Sequence, residues 1–281
     1  MMKEDCIECK GNMLKAVITR IDFDDLYEIE KNVLKELKKI AIDNELTLNM
    51  TRELNAEEDF ELNDPVILRE LPVEYIKNCM CYAYFNEKLD IMVEVNQFFI
   101  RIIYKVNNNN YKEYSQNILP LIMAFIDPLL SDELIIRRVS IKKVDETKFN
   151  KLEEMDRVFK PEIVQSNIFS NQVRWDIPSS GSTVVQNFGY DDTKVNFFRK
   201  IDRVSVRERI ESRVMDNIYY RIYVEYEVYD RKTRNNIEKT ELEKLLEKIN
   251  HITRKLFKDS FTDDGWDIIS KGGKVGSYEC N

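Results

Sequence analysis

The chain has 281 residues, with 43 lysines and arginines against 51 aspartates and glutamates, a formal net charge of −8. At 43% hydrophobic it can bury a core, which excludes a wholly disordered chain. Its 7 glycines and 6 prolines exclude collagen-like and linker-like chains, and argue against the glycine loops of dinucleotide-binding sheets and P-loop NTPases.

An acidic pI near 5.1 gives no global basic footprint for nucleic acid. The N-terminal MMKEDCIECKGNM lacks the apolar run of a signal peptide. The greasiest stretch, Ile118 to Leu130, is interrupted by Pro120, Asp127 and Pro128 and is too short to span a bilayer. Five cysteines form an odd count that does not read as a disulfide framework. The expectation is a cytoplasmic protein with no membrane partner.

Along the chain, Leu14 to Arg20 reads as a strand with one mostly apolar face. Leu26, Ile29, Val33, Leu34, Leu37, Ile40 and Ala41 recur at helical spacing and predict an amphipathic helix over 25–43. Leu46 and Leu48 alternate with polar residues, and the charged stretch from Glu53 to Asp64 reads as a loop or insertion. Cys79–Phe85, Leu89–Val95 and Phe98–Val106 then predict an antiparallel meander, with Asn96-Gln97 as a turn lacking the usual glycine. Four asparagines, Asn107 to Asn110, punctuate the chain before a second helix with Pro120 near its middle.

Leu134 to Val144 is the next strand, with apolar residues on both sides. Residues 146–172 are polar and include Pro161, which marks them as a connector. Strands then follow over 173–177, 183–190, 195–206 and 218–229, with Pro178-Ser179-Ser180-Gly181 as a turn. Thr240 and Glu243 have capping-box spacing ahead of the stripe Leu242, Leu245, Leu246, Ile249, Ile252, Leu256 and Phe257. A short amphipathic end, Asp264 to Ser270, precedes a tail with Gly272, Gly273 and Gly276. Both halves thus read as meander followed by long helix. The expected fold is α+β in two lobes, each an antiparallel sheet covered by a long amphipathic helix: 1–145, a connector over 146–172, and 173–281.

Few residues invite chemistry. Cys6-x-x-Cys9 has zinc or redox spacing, but a zinc site needs four ligands and the single histidine is at 251. His251 falls on the flank of its helix rather than in the apolar stripe. Asp90, Glu94 and Lys105, on adjacent predicted strands, could hold Mg²⁺ in the manner of a nuclease. Arg137, Arg138, Lys142 and Lys143 form one basic run; Arg199, Lys200, Arg203, Arg207, Arg209 and Arg213 form another. These could meet an acidic partner or a phosphate backbone, or simply pair with local acids. Tyr223 and Tyr229 alternate with Glu225 and Glu227 on one strand, where aromatic residues on a polar face suit recognition.

Three segments also resemble a sporadically distributed bacterial family of similar length with no assigned activity. They are Asn96 to Ile100 followed by the helix from Tyr111, the strand Arg138 to Asp145, and Leu245 to Asp263 with Phe257 and Phe261-Thr262-Asp263. Ser140 stands where that family has glycine, Lys142 where it has arginine, and Asn250 where it has histidine. The resemblance implies a two-lobed α+β protein and no catalytic residues. Its patchy distribution suits bacterial defence or conflict loci.

The functional expectation is a non-enzymatic accessory subunit that binds a protein partner or itself, without cofactor or metal. Tyr223, Tyr229, Arg137 and Arg138 are its partner-binding residues. The alternatives are a metal-dependent nuclease using Asp90, Glu94 and Lys105, or a nucleic-acid-binding protein, and a small-ligand sensor.

Overall fold

The computed structural model describes residues 13–24, 26, 28–53, 79–106, 114–130, 134–149, 152–164, 182–210 and 213–270, with the backbone alone at 49–50, 152–153, 205–210, 213–218 and 270. The expected Cys-x-x-Cys pair, the four-asparagine turn, the strand over 173–177 with its turn, and the glycine-bearing tail lie outside these residues.

Ten strands build one antiparallel sheet: β1 (Leu14–Phe23), β2 (Thr47–Glu53), β3 (Met80–Asn86), β4 (Ile91–Val95), β5 (Phe99–Lys105), β6 (Ile135–Phe149), β7 (Ser182–Tyr190), β8 (Thr193–Ile210), β9 (Arg213–Asp230) and β10 (Arg234–Asn235). Their spatial order is β2-β3-β4-β5-β1-β6-β9-β8-β7, with β10 against one end of β6. The helices are α1 (Lys31–Asp43), α2 (Tyr114–Ile126), α3 (Leu152–Val158), α4 (Pro161–Val164), α5 (Lys239–Asp259) and α6 (Asp263–Ser270). No described helix is long and apolar enough to cross a membrane.

This architecture corrects the two-lobe expectation. Two meanders are present, β2–β5 and β7–β9, but β1 and β6 weld them into one sheet. β6 pairs with β1 along one edge and with β9 along the other. The polar stretch expected to begin a connector instead continues β6, where Glu146 faces Tyr223 and Phe149 faces Tyr220. A long strand has backbone donors and acceptors on both edges, and a neighbour on each side satisfies them. Polarity in 146–149 reflects a strand with one charged face, not a break in structure.

The register divides the sheet into two unlike faces. Val17, Ile21, Ile100, Ile102, Val139, Ile141, Val195 and Val228 point to one side, where Leu37 of α1, Ile122 and Phe125 of α2, and Leu246 and Ile249 of α5 cover them. Further along the same side, Phe197, Ile201, Ile222 and Val224 pack with Met155, Phe159, Phe261 and Ile269 as a second cluster. Every strand residue of both clusters lies on this side, so one face carries the apolar core. Pro120 sits within α2 and leaves the helix continuous over 114–126.

The other face carries charge, and a register shift between Asp22 and Phe23 sets its boundary. Asp22 faces Arg138, yet Phe23 faces Ile136, so Arg137 is the extra residue of a bulge. Simple alternation would put Ile136 with Arg138. The bulge returns Ile136 to the core, where it is fully buried, and leaves Arg137 half-exposed.

Local signals were partly misleading. α1 starts at Lys31 rather than 25, and the expected capping box does not form: Thr240 is already inside α5, which Glu238 precedes with no side-chain cap. At the β4–β5 turn, Asn96 does the work of the missing glycine. Its Oδ1 accepts the N–H groups of Phe98 and Phe99 at 2.8 and 3.0 Å. The Phe-Thr-Asp segment joins α5 to α6: Thr262 Oγ1 accepts the Gly265 N–H at 2.9 Å and donates to the Arg157 carbonyl at 2.5 Å.

Candidate binding groove on the charged sheet face

The charged face is a chain of ion pairs laid across the strands. Arg52 of β2 and Arg101 of β5 both reach Glu94 of β4, at 3.0 and 2.6 Å. Beside Arg101, the ring of Phe99 lies under the Arg20 guanidinium, 4.0 Å from its centroid. Arg20 pairs with Asp22 at 2.6 Å, and Asp22 is 3.9 Å from Arg138. Arg138 continues to Glu227, whose second oxygen accepts from Asn196 at 2.9 Å. Asp22, Glu94, Arg138 and Glu227 are all buried. Charges withdrawn from water in this way hold together only because each has an opposite charge beside it.

The nuclease candidates are spread along the strands. Glu94 is held by two arginines. Asp90 sits at the corner of the β3–β4 hairpin with a positive φ of 54° and its carbonyl accepts the Lys105 N–H. Four residues of strand separate Asp90 from Glu94, roughly 13 Å. The three side chains therefore do not converge. Among the described residues no group of three or more His, Cys, Asp or Glu is placed to hold a metal. His251 is exposed on α5, and Cys79 and Cys81 are buried thiols.

The partner-binding candidates fall in two places. Tyr223 is half-buried: its ring meets Phe198 edge-on at 6.0 Å and its hydroxyl donates to Glu225. Burial, with that hydrogen bond, pushes its phenol above the usual range. Tyr229, six residues along β9, is roughly 20 Å away. Its ring is buried under two guanidiniums, with Arg138 at 4.9 Å and Arg231 at 5.0 Å. Arg137, displaced by the bulge, forms a forked pair with Asp24.

Tyr229 also lines a groove of about 410 Å³ with Asp192, Lys194, Asp230, Arg231, Lys232 and Arg234. Its two acids are already engaged. Arg234 grips Asp230 through both carboxylate oxygens at 3.0 and 2.9 Å, and the Lys232 N–H donates to it at 2.6 Å. Burial acts to raise the Asp230 carboxyl, but these bonds outweigh it and hold it below the usual range. Lys248 of α5 donates to Asp192. Lys194 and Lys232 are exposed and have no acidic partner among the described residues. A chain of net −8 thus presents a locally positive groove with an aromatic floor.

Sequence reading picked out Tyr229 and Arg138 but missed Lys194, Arg231 and Lys232. The groove gathers residues from the starts of β8 and β10 and the end of β9, and no motif signals that meeting. A strand end followed by Arg-Lys-Thr-Arg was the one hint in the chain. Compared by sequence with known families and with characterised proteins, the chain matches none.

Proposed function

We propose that the chain is a non-enzymatic protein-binding subunit whose groove around Tyr229 receives an acidic segment of a partner protein. One observation carries this reading: the acids of the groove are consumed internally while Lys194 and Lys232 are not. An incoming carboxylate therefore meets cations that no described acid neutralises. Arg138 and Arg231 both stack over the Tyr229 ring and hold it, so docking would not require it to be ordered first. The resemblance to a patchily distributed bacterial family supports a role in a defence or conflict system.

The test is direct binding of the full chain to a labelled oligo-glutamate peptide, followed by fluorescence anisotropy. A single-stranded oligonucleotide of equal charge serves as the competing probe. The peptide should bind, and Lys194→Glu with Lys232→Glu should weaken it by about tenfold or more, a loss of at least ~1.4 kcal/mol. Preferential binding of the oligonucleotide would overturn the protein-partner reading in favour of a nucleic-acid one.

A further inference from the structure

β7 closes one edge of the sheet, and among the described residues it pairs only with β8. Edge strands of soluble proteins usually carry guards against further pairing: charged residues, proline, or bulges. The opposite edge, β2, has two of these, a register shift between Leu48 and Met50 and the charged residues Arg52 and Glu53. β7 has none. Its sequence, STVVQNFGY, contains no charge and no proline, and its register with β8 is unbroken over all nine positions. Most of it is exposed, and Val185 and Phe188 are 65% and 39% accessible.

We propose that β7 pairs with β7 of a second copy of this chain, antiparallel about a two-fold axis through Gln186. The sequence is self-complementary in that register. Gln186 meets its own copy, and a carboxamide both donates and accepts, so two can bond to each other. Val184 faces Phe188 of the second copy, and Phe188 faces its Val184. Aromatic with β-branched is a favourable cross-strand pair. Val185 faces Asn187 and Thr183 faces Gly189, where nothing is charged and nothing repels.

The faces agree as well. Opposite β8, Val184, Gln186 and Phe188 stand on the core side, across from Arg199, Phe197 and Val195. Val184 already packs against the second apolar cluster. The Val184–Phe188 pairs, one on each side of the axis, would carry the apolar face of one copy into that of the next. A two-fold contact of this kind closes on itself and leaves neither β7 open for growth. The inference stands apart from the groove at Tyr229: that groove gathers at the β7–β8 turn, whereas the axis at Gln186 lies further along β7, opposite Phe197.

Charge reversal on the axis tests it. Gln186→Lys and Gln186→Glu each place like charges against themselves, and each should shift the full chain from dimer to monomer in sedimentation equilibrium. Self-association should weaken by about tenfold or more. A one-to-one mixture of the two variants should restore the dimer, which a folding defect would not do. Wild-type chain that sediments as a monomer, or a dimer indifferent to either variant, or variants whose mixture stays monomeric, would overturn the proposal. Oligo-glutamate binding measured on the same variants should be unchanged, so failure of the dimer and failure of the groove are told apart.

Discussion

Lys143 of β6 donates to Oδ1 of Asn250, on α5, at 3.0 Å, inside the seam between the two apolar clusters. Asp145 lies two residues along on the same side, also buried, and its Oδ2 has no hydrogen-bond partner among the described residues. Tyr226 and Ser260 share a hydrogen bond nearby on the same side of the sheet. The covered face is therefore not wholly apolar: a strip of polar groups crosses it beneath the C-terminal helix.

That seam makes stability depend on pH. Burial, with Arg254 adding to it and Asp145 opposing, lowers Lys143 to about 7. Burial raises Asp145 to about 7 against the pull of Lys143 and Lys15. The raised Asp145 contributes stability that is full below its unfolded value near 4 and lost as pH climbs to about 7. The depressed Lys143 contributes stability that is full above its unfolded value near 10.5 and lost as pH falls to about 7. The pair thus sets a minimum near neutrality. Urea midpoints across pH should show the wild-type minus Asp145→Asn difference falling from about pH 4 to 7. The wild-type minus Lys143→Met difference should rise above about 7. Flat difference profiles would contradict the seam.

Arg138 is the keystone of the charged face. Arg138→Ala leaves Glu227 buried with only Asn196 as its partner, and Asp22 with Arg20 alone. The expected destabilisation is about 3–5 kcal/mol. The double change Arg138→Met with Glu227→Leu should be much milder, because no buried charge is then left unpaired. Equilibrium urea unfolding of the three proteins measures both.

Gly265 in α6 sits where a Cβ would come within 2.0 Å of the Val158 carbonyl oxygen. Backbone cannot yield as a side-chain tip can, so Gly265→Ala should push α6 away from α3. The loss should reach or exceed about 1–3 kcal/mol, the usual range for overpacking. Trp266 is the neighbour of Gly265 and packs on Phe257 and Phe261 with centroids at 6.5 and 5.9 Å. Its fluorescence should shift to the red in the variant, and an unchanged spectrum with unchanged melting would refute the close approach.

On α5, Leu246 is fully buried while His251 is exposed. Leu246→Ala should cost about 2–5 kcal/mol. His251→Ala should stay within about 0.5 kcal/mol, as exposed substitutions do. Thermal melts of the two variants provide the comparison, and a large effect at His251 would reveal a role that its position does not suggest.

How far the sequence could be read depends on the range of each signal. The apolar stripe of α5 follows from 3.6-residue spacing alone: Leu242, Leu246, Ile249 and Ile252 are buried, joined by Thr253, while Leu245, Leu256 and Phe257 are partly buried. The period-two alternation of β9 likewise separates Val224 and Val228 from Glu225 and Glu227 by spacing alone. These patterns are local, and local sterics and solvent preference suffice to fix them. The capping box failed because Thr240 and Glu243 have the right spacing but lie too deep in α5. The Ile136–Arg138 alternation failed because a bulge, set by pairing with β1, inserts Arg137.

The periodicity of the chain marks most of the long strands and helices and their apolar sides, but not α3, α4, β10, the end of β6 or the side taken by Ile136. That the two meanders share one sheet emerges only on folding, since it depends on β1 and β6 meeting across more than a hundred residues. The same meeting puts Asp22 beside Arg138, and the β6–β9 pairing puts Arg138 beside Glu227. An ion pair between distant strands leaves no spacing in the chain, because its geometry is created by hydrogen-bond register rather than by neighbouring residues. The groove at Tyr229 has the same origin: Lys194, Arg231 and Lys232 become one positive surface only when the ends of three strands are brought together.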